Sequence, residues 1–454
     1  MTSSRRSTAT AEAAAVCRRA SLLARAKVAG LHDNARDTAL SILCLCLGPL
    51  VYAASLATVA AMLVLTMVTL IVSRQDSVSI ILRSIRALVA FAPLLVWMLA
   101  SAAWSLDSAA SVEVTLRVAV LFLSGTLLIT SFALLPLEQL RRPLMAVALG
   151  FSAAAMVVVV DLGMGGHLAR FLHAPRLNGV DPALGYGRAA TLHATLLAPV
   201  LVGLVRLGFS RLAVGFGLLA AAAILETSSL SAKTALAASL LVLVAVWLLP
   251  RLRWIEFGVF GFAVVALPLM FPLPLGAEPR CWLADHKPSA AHRLEIWSFV
   301  AEHIRQRPIV GWGLDAARRL PGGTAQVIIH HCDEADRPDG IALSSEALPL
   351  HPHNAVLQVW LELGGVGVAL GFGPLILAIW HAFRSPAWRT RSVQAMIAAT
   401  VAAAVSVGLI SFGIWQEWFL SGLFIAAAFV VLSARQSTAA VHRTISSRMG
   451  VRQV

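Results

Sequence analysis

Charge is scarce in this chain. Of 454 residues only 13% are Asp, Glu, Lys or Arg, 58% are hydrophobic, and the mean hydropathy is +0.80. That balance excludes an ordinary soluble domain of this length and suits a polytopic membrane protein, whose apolar surface can face lipid. Several chemical signatures are missing as well. There is no Gly-rich phosphate loop with a lysine, no Gly-x-Ser-x-Gly elbow and no zinc-type Cys/His spacing, which removes the usual P-loop, hydrolase and zinc-site readings. No internal repeat or functional low-complexity tract is visible. The first 37 residues are rich in Arg, Ser and Ala but lack a compact apolar core followed by a cleavage site, so the expectation is a cytoplasmic tail. A basic amphipathic helix around Cys17 to Ala29 would lie on the anionic lipid surface.

What is present is a series of apolar runs of the length that crosses a bilayer, roughly 17 to 25 residues each. They centre near Leu45, Met62, Leu95, Leu123, Val157, Leu201, Leu219, Leu241, Val265, Val368, Ala404 and Ala426, and the first two abut. The reading is all-α, with about twelve transmembrane helices. Charge placement orients them: with the N-terminus inside, the tails and inside loops hold clusters such as Arg141/Arg142, Arg251/Arg253 and Arg384/Arg389/Arg391. The net charge of +13 is therefore mostly an orientation signal, not a nucleic-acid footprint. Expected boundaries are a basic tail over 1–37, nine spans within 38–275, one large external (periplasmic) loop over 276–354, three spans within 355–434 and a cytoplasmic tail over 435–454.

The external loop is far longer than the other connections, and loops of that length usually carry function. It holds a predicted amphipathic helix, Ala290 to Gln306, with Leu294, Trp297, Phe299, Val300 and Ile304 near one side, ended by Pro308 and followed by an apolar turn through Gly313. Such a helix can roof a cavity between spans. Cys281 and Cys332 are the only cysteines in the loop and are expected to be bonded there, whereas Cys44 and Cys46 read as small buried hydrophobes. His330-His331-Cys332-Asp333, and Asp333, Glu334, Asp336 and Asp339, read more simply as solvated loop than as metal ligands. No metal or cofactor is expected.

Outside that loop, external cations are few: Arg170, Arg176 and Arg188 before the sixth span and Lys233 before the eighth. Cations against the positive-inside trend are often explained by an anionic partner, the competing explanation being snorkelling or a surface pair with Asp161 or Asp181. Arg293 at the start of the loop helix could serve the same anion or pair with a neighbouring glutamate. His351-Pro352-His353-Asn354 stands where the loop enters the span from Ala355. Asn354 is a good N-cap, so His353 sits at the positive end of a helix dipole, which disfavours imidazolium and suits a general base. Glu362 lies roughly 12 Å farther along the axis and reads as a buried structural acceptor. Gly364, Gly365 and Gly367 read as a smooth surface for close helix approach. His351 is either a spacer or a second ligand of the acceptor.

The arrangement resembles the O-antigen ligase family and its relatives, the O-antigen polymerases and O-oligosaccharyltransferases. Their signature of a histidine followed by Asn, Ser or Gln, nine residues, a glycine, two residues and a Gly, Thr or Tyr is matched by His353, Asn354, Gly364 and Gly367. Arg293 to Trp297, leading to Pro308-Ile-Val-Gly311-Trp-Gly313, also looks like the family's pattern. Ser231-Ala-Lys233 stands where relatives often carry Ser-x-Arg, so bidentate phosphate contact there is weakened. The resemblance implies a GT-C-like membrane glycosyltransferase that moves a glycan from an undecaprenyl-diphosphate carrier to a lipid A-core hydroxyl, inverting and without a metal. It implies His353 as base, Arg293 in catalysis, Arg176, Arg188, Lys233 and Arg293 on the diphosphate, and Asn354, Glu362, Gly364, Gly367 and Trp297 in support. Donor, acceptor and membrane lipids would be the partners, in a bacterial inner membrane. One large loop favours a ligase over a polymerase, and a lipid-linked glycan transporter is the non-enzymatic competitor.

Overall fold

The computed structural model describes residues 37–72, 77–136, 139–173, 180–273, 276–329, 332 and 343–448. The protein is helical almost throughout. The described helices are α1 (Asp37–Ala53), α2 (Thr58–Val72), α3 (Ser77–Val89), α4 (Ala92–Ser101), α5 (Ser108–Leu134), α6 (Arg141–Gly163), α7 (His167–His173), α8 (Gly187–Arg206), α9 (Ser210–Glu226), α10 (Leu230–Leu248), α11 (Leu252–Met270), α12 (Ala277–His286), α13 (Pro288–Gln306), α14 (Ala355–Arg384), α15 (Arg391–Ile410) and α16 (Glu417–Arg448). Each of the twelve apolar centres falls inside one of them.

Among the described residues eight helices are long and apolar enough to cross a membrane, and nine if α3 and α4, bent by 54° at their break, form one broken span. The all-α, polytopic membrane architecture therefore holds. The shortfall from twelve comes from length: α1 and α2 are apolar but stop short, because Ala54 to Ala57 turn the chain between them, and α9 has only 17 residues.

Burial ranks the spans. α8 is the central helix, with 83% of its apolar window buried, and packs on α9, α10, α15 and α16, whereas α11 has 17% buried and lies at the periphery. Small residues permit this closeness: a Cβ on Gly150 of α6 would stand 2.0 Å from Leu45 O of α1.

Between α11 and α14 the connecting segment folds on itself. Ile296, Val300, Ala301 and Ile304 of α13 form a core with Phe271, Leu320, Leu348, Leu357 and Leu361, so the loop helix is anchored on the entry to α14. A short antiparallel hairpin, β1 (Gln326–Ile329) on β2 (Leu343–Glu346), adds strand that the all-helical reading lacked. Cys281 on α12 and Cys332 after β1 are joined in a disulfide with Cα atoms 4.8 Å apart.

Candidate active site

Asn354 caps α14 as its sequence position suggests: its Oδ1 accepts from the Leu357 N–H at 3.0 Å, and its Nδ2 donates to Leu409 O of α15 at 3.0 Å. The residue before it, His353, has φ +54, a left-handed conformation uncommon outside glycine and costly by about 1–3 kcal/mol. That backbone sends the ring toward the end of α15, where Nδ1 lies 2.5 Å from Ser411 O. A carbonyl can only accept, so Nδ1 carries the proton and Nε2 keeps the lone pair. The histidine is thus set in the tautomer a general base needs.

Electrostatics keep it neutral. Burial pushes the His353 imidazole below the ordinary histidine range; the Ser411 carbonyl opposes this, and the nearby Arg293 and His292 charges add to it. His351 lies beneath it, ring centroids 4.4 Å apart, and burial first, then His353, Arg318 and Arg293, drive it down to about 3. Buried, against Gln416 Nε2 at 3.2 Å, His351 is a packing support for His353. Trp297 closes the other side by donating from Nε1 to Pro352 O at 2.8 Å.

Glu362 is wholly buried and accepts three bonds: from Gln358 Nε2 at 3.1 Å, Trp415 Nε1 at 2.6 Å and the Asp315 N–H at 3.1 Å. It ties α14 to the segment between α13 and α14 and to the α15–α16 connection. Gly364 departs from the sequence expectation. Its φ of +64 and ψ of −168 are non-helical and break α14, and the freed backbone groups bond across to the loop. Gly365 N–H donates to Pro308 O at 2.8 Å, Val366 N–H to Ile309 O at 3.2 Å, Trp312 N–H to Leu361 O at 2.9 Å and Gly313 N–H to Glu362 O at 2.8 Å. The glycines therefore do not form a smooth helix-packing face. They admit the Pro308–Gly313 turn into a gap in the helix.

The candidate cations gather around this end to different degrees. Arg293, on α13, lines a cavity of ≈ 170 Å³ with Leu230 and Ser231 of α10, Trp297, and Ile410, the neighbour of Ser411. Burial lowers its pKa, its Nε has no partner, and Glu295 is taken instead by Arg280 at 3.4 Å, which removes the intrahelical pair. Lys233 stands in the first turn of α10, two residues from Ser231, with no ion pair to a described residue. Arg188 occupies the first turn of α8 and lies over the Trp418 ring at 5.7 Å. Arg170 instead donates to Gly165 O at 2.7 Å, and Asp161 caps α7 through the Leu168 and Ala169 N–H groups, so the two do not form a surface ion pair. Arg176, His330, His331, Asp333, Glu334, Asp336 and Asp339 lie outside the described residues.

The segment from Ser411 to Gln416 escaped the sequence reading. It supplies Ser411 O to His353, Ile414 N–H to Gln358 Oε1 at 2.9 Å, Trp415 to Glu362 and Gln416 to His351. Its signal was available as a short, polar, Trp-containing break between two apolar runs. α8, α10, α14 and α16 all begin around this site, and the positive ends of their dipoles favour an anion.

Residues 214–372 match the family model described as O-Antigen ligase. The matched segment is about a third of the chain. It contains Lys233, Arg293, His353, Glu362, Gly364 and Gly367. Arg188 and the Ser411–Gln416 segment lie outside it. The chain is also similar to provisionally named polysaccharide ligases. One from Rickettsia conorii (strain ATCC VR-613 / Malish 7) is 33% identical over 172 residues, 37% of this chain and 38% of the relative. Another, from Rickettsia felis (strain ATCC VR-1525 / URRWXCal2), is 33% identical over 185 residues, 39% and 41%. A third, from Rickettsia prowazekii (strain Madrid E), is 32% identical over 198 residues, 41% and 44%. The match spans less than half the length of each of these relatives.

Proposed function

We propose that the protein is an O-antigen ligase that transfers glycan from undecaprenyl diphosphate to a hydroxyl of the lipid A-core, at the external face of a bacterial inner membrane. The observation that carries this is the His353–Ser411 bond, which leaves Nε2 as an available base beside a cavity lined by an unpaired arginine, Arg293. His353 Nε2 takes the proton of the acceptor hydroxyl as that oxygen attacks the anomeric carbon. The bond from that carbon to the diphosphate oxygen breaks on the opposite side, so the configuration inverts. Charge develops on the departing diphosphate, and Arg293, Lys233 and Arg188, with Arg176 as a further candidate, hold it together with the converging helix N-termini. The cations take the role that a metal has in other transferases. Termini in the cytoplasm follow from the charge asymmetry of the loops.

A single elaborated external segment favours ligase over polymerase or O-oligosaccharyltransferase. Against a transporter, the charged and polar groups of the site collect at one end of the bundle rather than along a path. The test is reconstitution of purified protein with undecaprenyl-diphosphate glycan and lipid A-core in the presence of chelator. Ligated product that disappears in His353→Ala supports the assignment, and full activity of that variant removes His353 from the mechanism. Glycan chains lengthened on the carrier without transfer to core would identify a polymerase.

A further inference from the structure

The opposite end of the same helices carries a second cavity. α14 runs from the His353 site to Arg384, and α11 and α15 begin where it ends. There Arg253, Trp254, Arg384, Arg389, Arg391 and Gln394 line a space of ≈ 530 Å³. No acidic side chain lines it among the described residues. Arg384, Arg389 and Arg391 form no ion pair with a described residue. Aromatic rings back the guanidinium groups: Arg253 lies over Trp254 at 5.0 Å and Arg384 over Trp380 at 5.2 Å, and the two indoles are 4.9 Å apart. Gln394, 3% exposed, spends its Nε2 on Phe383 O and Trp388 O, at 3.3 and 2.7 Å, while its Oε1 has no partner. Arg253 Nε is likewise buried and unpartnered.

Four guanidinium groups brought together repel one another, and a buried acceptor left without a donor is costly. Both are relieved by a ligand that is anionic and also carries a donor. Indoles at the end of spans sit at the headgroup level of a bilayer, so the anion available there is a lipid phosphate. We propose that this cavity binds the headgroup of an anionic, hydroxylated phospholipid of the phosphatidylglycerol type. Its phosphate is held by Arg253, Arg384, Arg389 and Arg391, and a headgroup hydroxyl donates to Gln394 Oε1. This site does not depend on the transfer reaction assigned to the other end.

The experiment uses the full chain, delipidated in detergent, with native mass spectrometry and thermal melting as readouts. Phosphatidylglycerol should remain bound and raise the melting temperature, whereas phosphatidylcholine and inorganic phosphate at equal concentration should not. Arg389→Gln with Arg391→Gln should weaken phosphatidylglycerol binding by about fivefold for each charge removed. Lysine at both positions should restore most of it. Arg211→Gln, on an exposed residue of α9 at the same end but outside the cavity, should leave binding unchanged. Equal retention of phosphatidylcholine by the wild type, or an equal shift with phosphate alone, overturns the lipid assignment whether or not the variants fold. Undiminished binding in a folded double glutamine variant overturns the location.

Discussion

Gly311 and Gly364 pass each other at backbone contact. A Cβ on Gly311 would stand 2.5 Å from Glu362 O, and one on Gly364 would stand 2.2 Å from Ile309 O. The two positive-φ glycines hold the Pro308–Gly313 turn inside the break of α14, and that clasp fixes the distance between α13, bearing Arg293, and the helix mouth bearing His353.

Gly364→Ala should therefore destabilise the protein by more than the roughly 1–3 kcal/mol of strain at such a φ/ψ, since steric overlap adds to it. Gly373→Ala on the same helix, where a Cβ meets nothing within 4 Å, should be neutral or slightly stabilising. Melting of the two purified variants decides this; equal melting temperatures would refute the clasp.

His353→Ala should reduce turnover about 10²- to 10⁴-fold, the usual range for a lost general base. Because burial and the Arg293 charge both hold its pKa down, the acid limb of the pH–rate profile should lie below the ordinary histidine pKa. Arg293→Ala removes one of these effects, so it should move that limb upward while also lowering turnover. A limb that stays put would mean that the Arg293 charge does not reach the base.

Acid should also weaken the fold through His351. Its folded pKa is about 3 against an ordinary 6.5, so between those values the unfolded chain binds the proton that the folded chain refuses. The contribution is complete above pH 6.5 and falls by about 1.4 kcal/mol per pH unit as the pH drops through that window. Melting temperatures from pH 7 to pH 5 should decline less in His351→Asn than in wild type.

Glu362→Ala should leave Gln358, Trp415 and the Asp315 N–H without their acceptor, at about 1–3 kcal/mol for each buried donor. Loss of thermal stability together with activity is the expected result. A stable, active variant would show that the loop is positioned by Gly311 and Gly364 alone.

Cys281→Ser should lower stability by roughly 3–4 kcal/mol, since the bond closes a loop with a sequence separation of 51 residues. Intact mass before and after reductant checks the bond itself. Two free thiols in oxidised protein would contradict it.

The spans, the cap at Asn354 and the helix carrying Arg293 were legible because each depends on local pattern: an apolar run of sufficient length, an N-cap type, a 3.6-residue period. Gly364 was misread for the same reason. A glycine in an apolar run has the same local signature whether it packs against a neighbour or breaks the helix, and only the Pro308–Gly313 turn, some fifty residues earlier in the chain, selects the break. Likewise Ser411 offers nothing but a backbone carbonyl, which no residue identity advertises, yet that carbonyl sets the tautomer of His353.

Hydropathy and charge placement act residue by residue, so the sequence alone is enough to read a helical membrane protein with a histidine at the mouth of one of its helices. The tertiary structure alone decided which nitrogen of His353 is left to act, which arginine stands beside it, and that Glu362 faces Trp415. Those relations join segments far apart in the chain, and a hydrogen bond between them depends on distance and direction that no spacing along the sequence specifies.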